Sequence, residues 1–115
     1  MTTEKTINIL GQQVRIRYCA ATESGFERLR QKSIYDIDFK SQEDLIALAI
    51  SGIVAAYSMQ DEESPVSSKD VMYNAKPTEI VEMVTAVIEL RSAWYEVPAV
   101  VPQDEKPKDD EEPKN

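Results

Sequence analysis

The sequence predicts an α+β fold, mainly α: an N-terminal β-hairpin, then about four helices around a central apolar helix, closing in a disordered acidic C-terminal tail. Three observations point there. Thr6 to Tyr18 alternates apolar and polar residues on either side of a glycine, the period-two pattern of half-buried strands. Leu45 to Tyr57, LIALAISGIVAAY, is a run of thirteen residues without a charge, too long for a usual strand and rich in good helix formers. From Pro102 onward there is no aromatic or large aliphatic residue, so that stretch cannot bury enough apolar surface to fold. Residues 1–99 are expected to form one compact body and residues 100–115 the tail.

In the hairpin, Thr6–Leu10 and Gln13–Tyr18 are the expected strands, with Gly11-Gln12 as a two-residue turn of type II′. Ile7 and Ile9 would face the core with Val14, Ile16 and Tyr18, leaving Arg15 and Arg17 for solvent or a partner. Cys19, the single cysteine, reads as a small buried hydrophobe. Ser24-Gly25-Phe26-Glu27 has the spacing of a capping box and would open a short helix to about Lys32, with Phe26 and Leu29 turned inward. Tyr35–Phe39 alternates, as an extended connector would.

Ser41 is the expected N-cap of the central helix, with Asp44 three residues on. On a helical wheel Ile46, Ile50, Ile53, Val54 and Tyr57 make a bulky face, beside a shallow stripe of Leu45, Ala49, Gly52 and Ala56. Hydrocarbon takes roughly 20 apolar residues, so this flanked, shorter run is a core helix. Asp61-Glu62-Glu63 reads as a solvated turn. Ser67-Ser68-Lys69-Asp70 can cap a short helix carrying Val71, Met72 and Tyr73. Pro77 opens the last helix, to about Glu96. There Ile80, Met83, Val84, Val87, Ile88 and Trp94 form an apolar face, opposite an acidic stripe of Glu82, Glu89 and Glu96.

Arg91 falls in the middle of that apolar face. Either its stem packs on the core while the guanidinium reaches out, or the group grips a carboxylate such as Asp36 or Asp38.

Charge and residue types narrow the function classes. Of a net charge of −8, the stretch from Asp104 carries six acids against three lysines, a net −3, leaving −5 on the body. A chain this acidic repels phosphate backbones and anionic bilayers, so neither nucleic acid nor a membrane is an expected partner. There is no histidine and one cysteine, which removes the commonest general base and the Cys/His zinc sites. The three glycines are scattered, so no phosphate loop is expected. Asp36 and Asp38 lack the glycine and later ligands of a calcium loop. No cofactor, metal or catalytic residue is expected. With no basic segment preceding an apolar one at the N-terminus, a cytoplasmic protein is expected.

The hairpin INILGQQVRIRYCAATESGFERL, the core IALAISGIVAAY and the closing KPTEIVEMVTAVIELRSAWYEVP together resemble, in order and type, the tail assembly chaperones of long-tailed phages, from Ile7 to about Val101. The resemblance implies a non-enzymatic protein that coats the long helical tape-measure protein, keeps it soluble and brings tail-tube subunits to it. The implied partners are those two proteins, with self-association along the tape measure. Ala49, Gly52 and Ala56 would let a partner helix approach closely, unless they pack on this chain's own last helix; Glu82, Glu89, Arg91 and Trp94 are the other candidate contact residues. The competing expectation is a small acidic adaptor or inhibitor that offers Glu82, Glu89, Glu96 and the tail to a basic protein.

Overall fold

A computed structural model describes residues 3–96; the expected tail lies outside them. Two antiparallel strands, β1 (Glu4–Ile9) and β2 (Gln12–Arg17), lead directly into α1 (Ala20–Arg30). One 3₁₀ turn at Ile34–Asp36 follows, then α2 (Gln42–Ser58), α3 (Ser68–Asn74) and α4 (Pro77–Tyr95). The expected α+β order is what the chain forms.

The hairpin turn is one residue earlier than expected. Ile9 pairs with Gln12, so the loop is Leu10-Gly11, with φ of 55° and 76°. Positive φ at both central residues is the type I′ pattern, whose twist suits a two-residue hairpin. Because strand side chains alternate, this displacement changes partners without changing faces. Ile7 lies opposite Val14, and Ile7, Ile9, Val14, Ile16 and Tyr18 are all buried.

The outer edge of β2 is closed by side chains. The Arg15 N–H donates to the Tyr57 hydroxyl at 3.0 Å, and the Thr22 hydroxyl donates to the Arg17 carbonyl at 2.7 Å. Arg15 and Arg17 are themselves paired within the chain, Arg15 with Glu62 and Arg17 with Glu4. Glu62 is thus not merely solvated turn, as the sequence suggested.

Thr22 also moves the start of α1. Its hydroxyl accepts the Cys19 N–H at 3.2 Å, so half-buried Cys19 is the N-cap, in place of a capping box at Ser24. Glu27, the expected box partner, instead accepts the Ile34 N–H at 2.8 Å and holds the 3₁₀ turn. That turn takes Tyr35 and Asp36 out of the expected extended connector and buries Ile34, whereas Ile37 stays extended and, with Phe39, packs against the core. Leu29, expected inside, is exposed.

Helix α2 is the centre of the domain: thirteen of its seventeen residues are buried. Its N-cap is Ser41, whose Oγ accepts the Asp44 N–H at 3.2 Å. Hairpin and α1 cover one side of it and α4 another. Ser67 caps α3 by accepting the Asp70 N–H at 3.0 Å, yet Val71 is the one residue of α3 that is buried. No helix among the described residues is long and apolar enough to cross a membrane.

Candidate functional site

The small-residue stripe of α2 is taken up inside the molecule. Ala49, Gly52 and Ala56 are buried, and the backbone of β2 comes so close at Gly52 that a Cβ there would lie 2.8 Å from Ile16 Cγ1 and 3.0 Å from the Arg17 carbonyl oxygen. At Gly52 the close approach that a small residue permits is therefore made by a strand. Alongside, Gly25 of α1 packs on Ser51.

The open surface is on the bulky face instead. A groove of about 970 Å³ runs between α2 and α4, with α3 and the end of α1 as walls. Leu45, Ile46 and Ile50 of α2 and Val84 of α4 form a buried floor. Leu29, Met72 and Val81 stand on the rim at 56%, 57% and 63% exposure, large side chains that fold-only logic would place inside. For Met72 the cause is length: α3 has seven residues and buries Val71 alone, leaving Met72 without a companion layer. The sequence signal was available, since apolar residues on a seven-residue helix exceed what it can cover.

Bonded to Arg30, which lines the groove, is a buried carboxylate that the sequence showed only as a capping neighbour. Asp44 is fully buried and accepts from Arg30 Nε at 2.7 Å, Lys32 Nζ at 2.6 Å and the Asp38 N–H at 2.8 Å. Burial alone would raise its pKa; the Lys32 ammonium, the Asp38 N–H and the Arg30 guanidinium outweigh that and hold it below the ordinary carboxylate value. Asp44 thus fastens the end of α1 and the connector to the first turn of α2.

The remaining predicted contact residues fall at two other places. Glu82 is exposed, while Glu89 is paired with Lys5 of β1. Arg91 grips neither Asp36 nor Asp38: its guanidinium carbon lies 5.0 Å from the Phe39 ring centre and 5.0 Å from that of Tyr95. Trp94 is 37% exposed and tilts against Tyr18 with ring centres 6.1 Å apart. Glu23 accepts from both the Tyr18 and the Tyr95 hydroxyls. Burial first, and then the bond to Glu23, raise both phenols; Tyr95 is pushed up to about 12 and Tyr18 higher.

Among the described residues no group of three or more His, Cys, Asp or Glu side chains could hold a metal ion. What this arrangement can do is receive an apolar surface. Set against protein-family models, curated proteins and solved structures, the chain finds no match. Fold and site define a class: a small α+β module with an open apolar groove between two helices.

Proposed function

We propose that this chain is a non-enzymatic tail assembly chaperone of a long-tailed phage, working in the host cytoplasm. It shields amphipathic helices of the tape-measure protein in the α2/α4 groove and helps to bring tail-tube subunits to them. The observation that carries this is the groove with its three exposed apolar rim residues, Leu29, Met72 and Val81. An amphipathic helix presents apolar anchors at i, i+3, i+4 and i+7, and a groove between two helices is their usual receptor. Exposed apolar patches rimmed by polar groups mark such interfaces. The net charge of −8 keeps a loaded complex soluble. Many copies, each holding weakly and touching its neighbours, would cover a long chain by multivalency.

An acidic adaptor for a basic partner draws less support. Of the stripe on α4, Glu89 is engaged with Lys5, which leaves Glu82 and Glu96 exposed for a basic partner.

The test is co-expression with the long helical protein encoded beside this chain. Wild type is expected to keep that protein soluble, at high salt as well as low. Val81→Glu and Met72→Glu, both at exposed positions, are expected to leave it aggregated. Undiminished solubility with the double variant would remove the groove from the function, and complexes that dissolve steeply with salt would favour the adaptor.

A further inference from the structure

The two edges of the hairpin end differently. Ile9 and Gln12 flank the two-residue loop and exchange ladder hydrogen bonds, so bonded pairs recur at Ile7–Val14 and Lys5–Ile16. The pairs between them, Glu4–Arg17, Thr6–Arg15 and Asn8–Gln13, turn their N–H and C=O groups away from the hairpin. On β2 two of these outward groups are taken, the Arg15 N–H by Tyr57 and the Arg17 carbonyl by Thr22. On β1 the outward groups of Thr6 and Asn8 meet no partner among the described residues, and both residues are exposed. The geometry points to β1 as the acceptor of one more strand: an extended, basic segment of a partner protein that pairs with β1 and lays its side chains on the flank of α4.

Nothing in β1 resists this. Its pairing with β2 is unbroken from Glu4 to Ile9, without the bulge or proline that protects an exposed edge. Its lysine, Lys5, is turned to α4 and held by Glu89. A two-stranded ribbon gains from a third strand. Main-chain bonds give such pairing its affinity, and alternate side chains give its specificity. Those side chains would enter a cleft of about 360 Å³ lined by Lys5, Ile7, Glu82, Thr85 and Glu89. Helix α4 runs antiparallel to β1, with Glu89 beside Lys5 and Glu79 beside Leu10. Glu82 therefore stands beyond Ile7, exposed and without an ion pair among the described residues. A Lys or Arg opposite Ile7 would meet it, whereas an acid would be repelled. The same carboxylates disfavour a second copy as the occupant. Pairing β1 with itself would put both α4 helices on one face of a joint sheet and bring Glu82 and Glu89 of two copies together. Thr85 lines both this cleft and the groove, so α4 would carry a partner helix on one flank and a partner strand on the next.

The test uses the full chain and two short synthetic peptides of alternating Thr and Val, which differ only in Lys or Glu at one inward position. Exchange of the Thr6 and Asn8 amides, followed by NMR, is expected to slow about tenfold once the Lys peptide stands roughly tenfold above its Kd. The Arg15 amide, already bonded to Tyr57, is expected to change little. The Glu peptide is expected to bind about five- to tenfold more weakly, and Glu82→Lys to reverse the order. A Lys peptide N-methylated along its pairing edge is expected not to bind, which tests the ladder without altering the protein. Thr6→Pro removes an outward N–H and no bond of the hairpin, so it is expected to abolish binding with the far-UV spectrum unchanged. Equal binding of the two peptides overturns the basic partner, and unprotected Thr6 and Asn8 amides at saturating peptide overturn the strand. Amides already protected in the free protein overturn it too, and a dependence on protein concentration would give the edge to a second copy. None of these results touches the groove, whose variants are Val81→Glu and Met72→Glu.

Discussion

The backbone N–H of Leu10 donates to the carboxylate of Glu79 at 2.9 Å, across 69 positions of sequence. The same carboxylate accepts the Lys76 N–H at 2.8 Å, so one side chain caps α4 and fixes the hairpin turn against it. It needs to, because Leu10 sits at φ 55°, a conformation that costs a non-glycine residue about 1–2 kcal/mol. The N–H groups of Lys76, first, and Leu10 hold the Glu79 pKa below its ordinary value. A depressed carboxylate contributes stability that is present above its unfolded pKa and is lost as pH falls through the folded one. Glu79→Gln is expected to lower the urea midpoint at neutral pH and to leave it nearly unchanged in acid. Gly11→Ala tests the turn alone: at φ 76° with nothing near a new Cβ, the expected loss is about 1 kcal/mol and purely conformational.

Asp44 is expected to be the most sensitive single acid. Replacing it with alanine strands the Asp38 N–H and leaves Arg30 and Lys32 without their shared partner. Loss of a buried, multiply bonded carboxylate is expected to cost about 3 kcal/mol, read as a drop in the denaturation midpoint. Its folded pKa lies below the ordinary value, so its contribution is whole above the unfolded pKa and fades as acid protonates the native carboxylate. Asp44→Asn should therefore flatten the acid limb of the stability curve. An unaltered limb would mean that the cluster does not govern acid unfolding.

At the alkaline end the tyrosines set the sign. Burial, reinforced by Glu23, raises Tyr95 to about 12 and Tyr18 further, above the ordinary phenol value near 10. Here the native state holds protons that the unfolded chain releases. Their contribution is complete below the unfolded pKa and declines as pH climbs through the folded one. Stability is expected to fall from about pH 10 upward, and less so in Tyr95→Phe. Equilibrium urea melts across that range, with phenolate absorbance followed in parallel, would show whether unfolding precedes ionisation.

What was legible in the sequence was whatever a short window determines. Length, composition and Ser41 gave α2; alternation gave the hairpin faces; Pro77 gave the start of α4. Two features depended on distant partners and were misread. The turn was placed at Gly11-Gln12 on the glycine alone, and nothing near it in sequence shows that Glu79 holds Leu10 in a left-handed conformation. The start of α1 was placed at Ser24 because the true cap works through the Arg17 carbonyl, a group of the preceding strand. Within the stripe of Ala49, Gly52 and Ala56, a helical wheel cannot say that Ile16 and Arg17 are what come close at Gly52. Asp44 was within reach: Arg30 ends one helix and Lys32 follows it, before an acid in the first turn of the next.

The seam between α1, α2 and β2 offers a pair of adjacent substitutions with opposite expected signs. Gly52→Ala would improve helix propensity by about 1 kcal/mol. The new methyl, however, would sit 2.8 Å from Ile16 Cγ1 and 3.0 Å from the Arg17 carbonyl oxygen. Ile16 is fully buried, and Arg17 holds Thr22 through that same oxygen, so neither can retreat cheaply. Overpacking of this kind is expected to outweigh the helix gain and leave a net loss of about 1–3 kcal/mol. Ser51 is the contrasting neighbour. Its Oγ is buried without a hydrogen-bond partner, and a stranded polar group costs about 1–3 kcal/mol. Ser51→Ala removes that group and is expected to stabilise the fold by about 1 kcal/mol. It does not open room for a side chain at Gly25, where a new Cβ would still meet the Cβ of residue 51 at 3.0 Å. Urea melts of the two single variants decide the matter. If Gly52→Ala proves neutral, β2 does not lie as close to α2 as its position requires, and the stripe on α2 is again available to a partner.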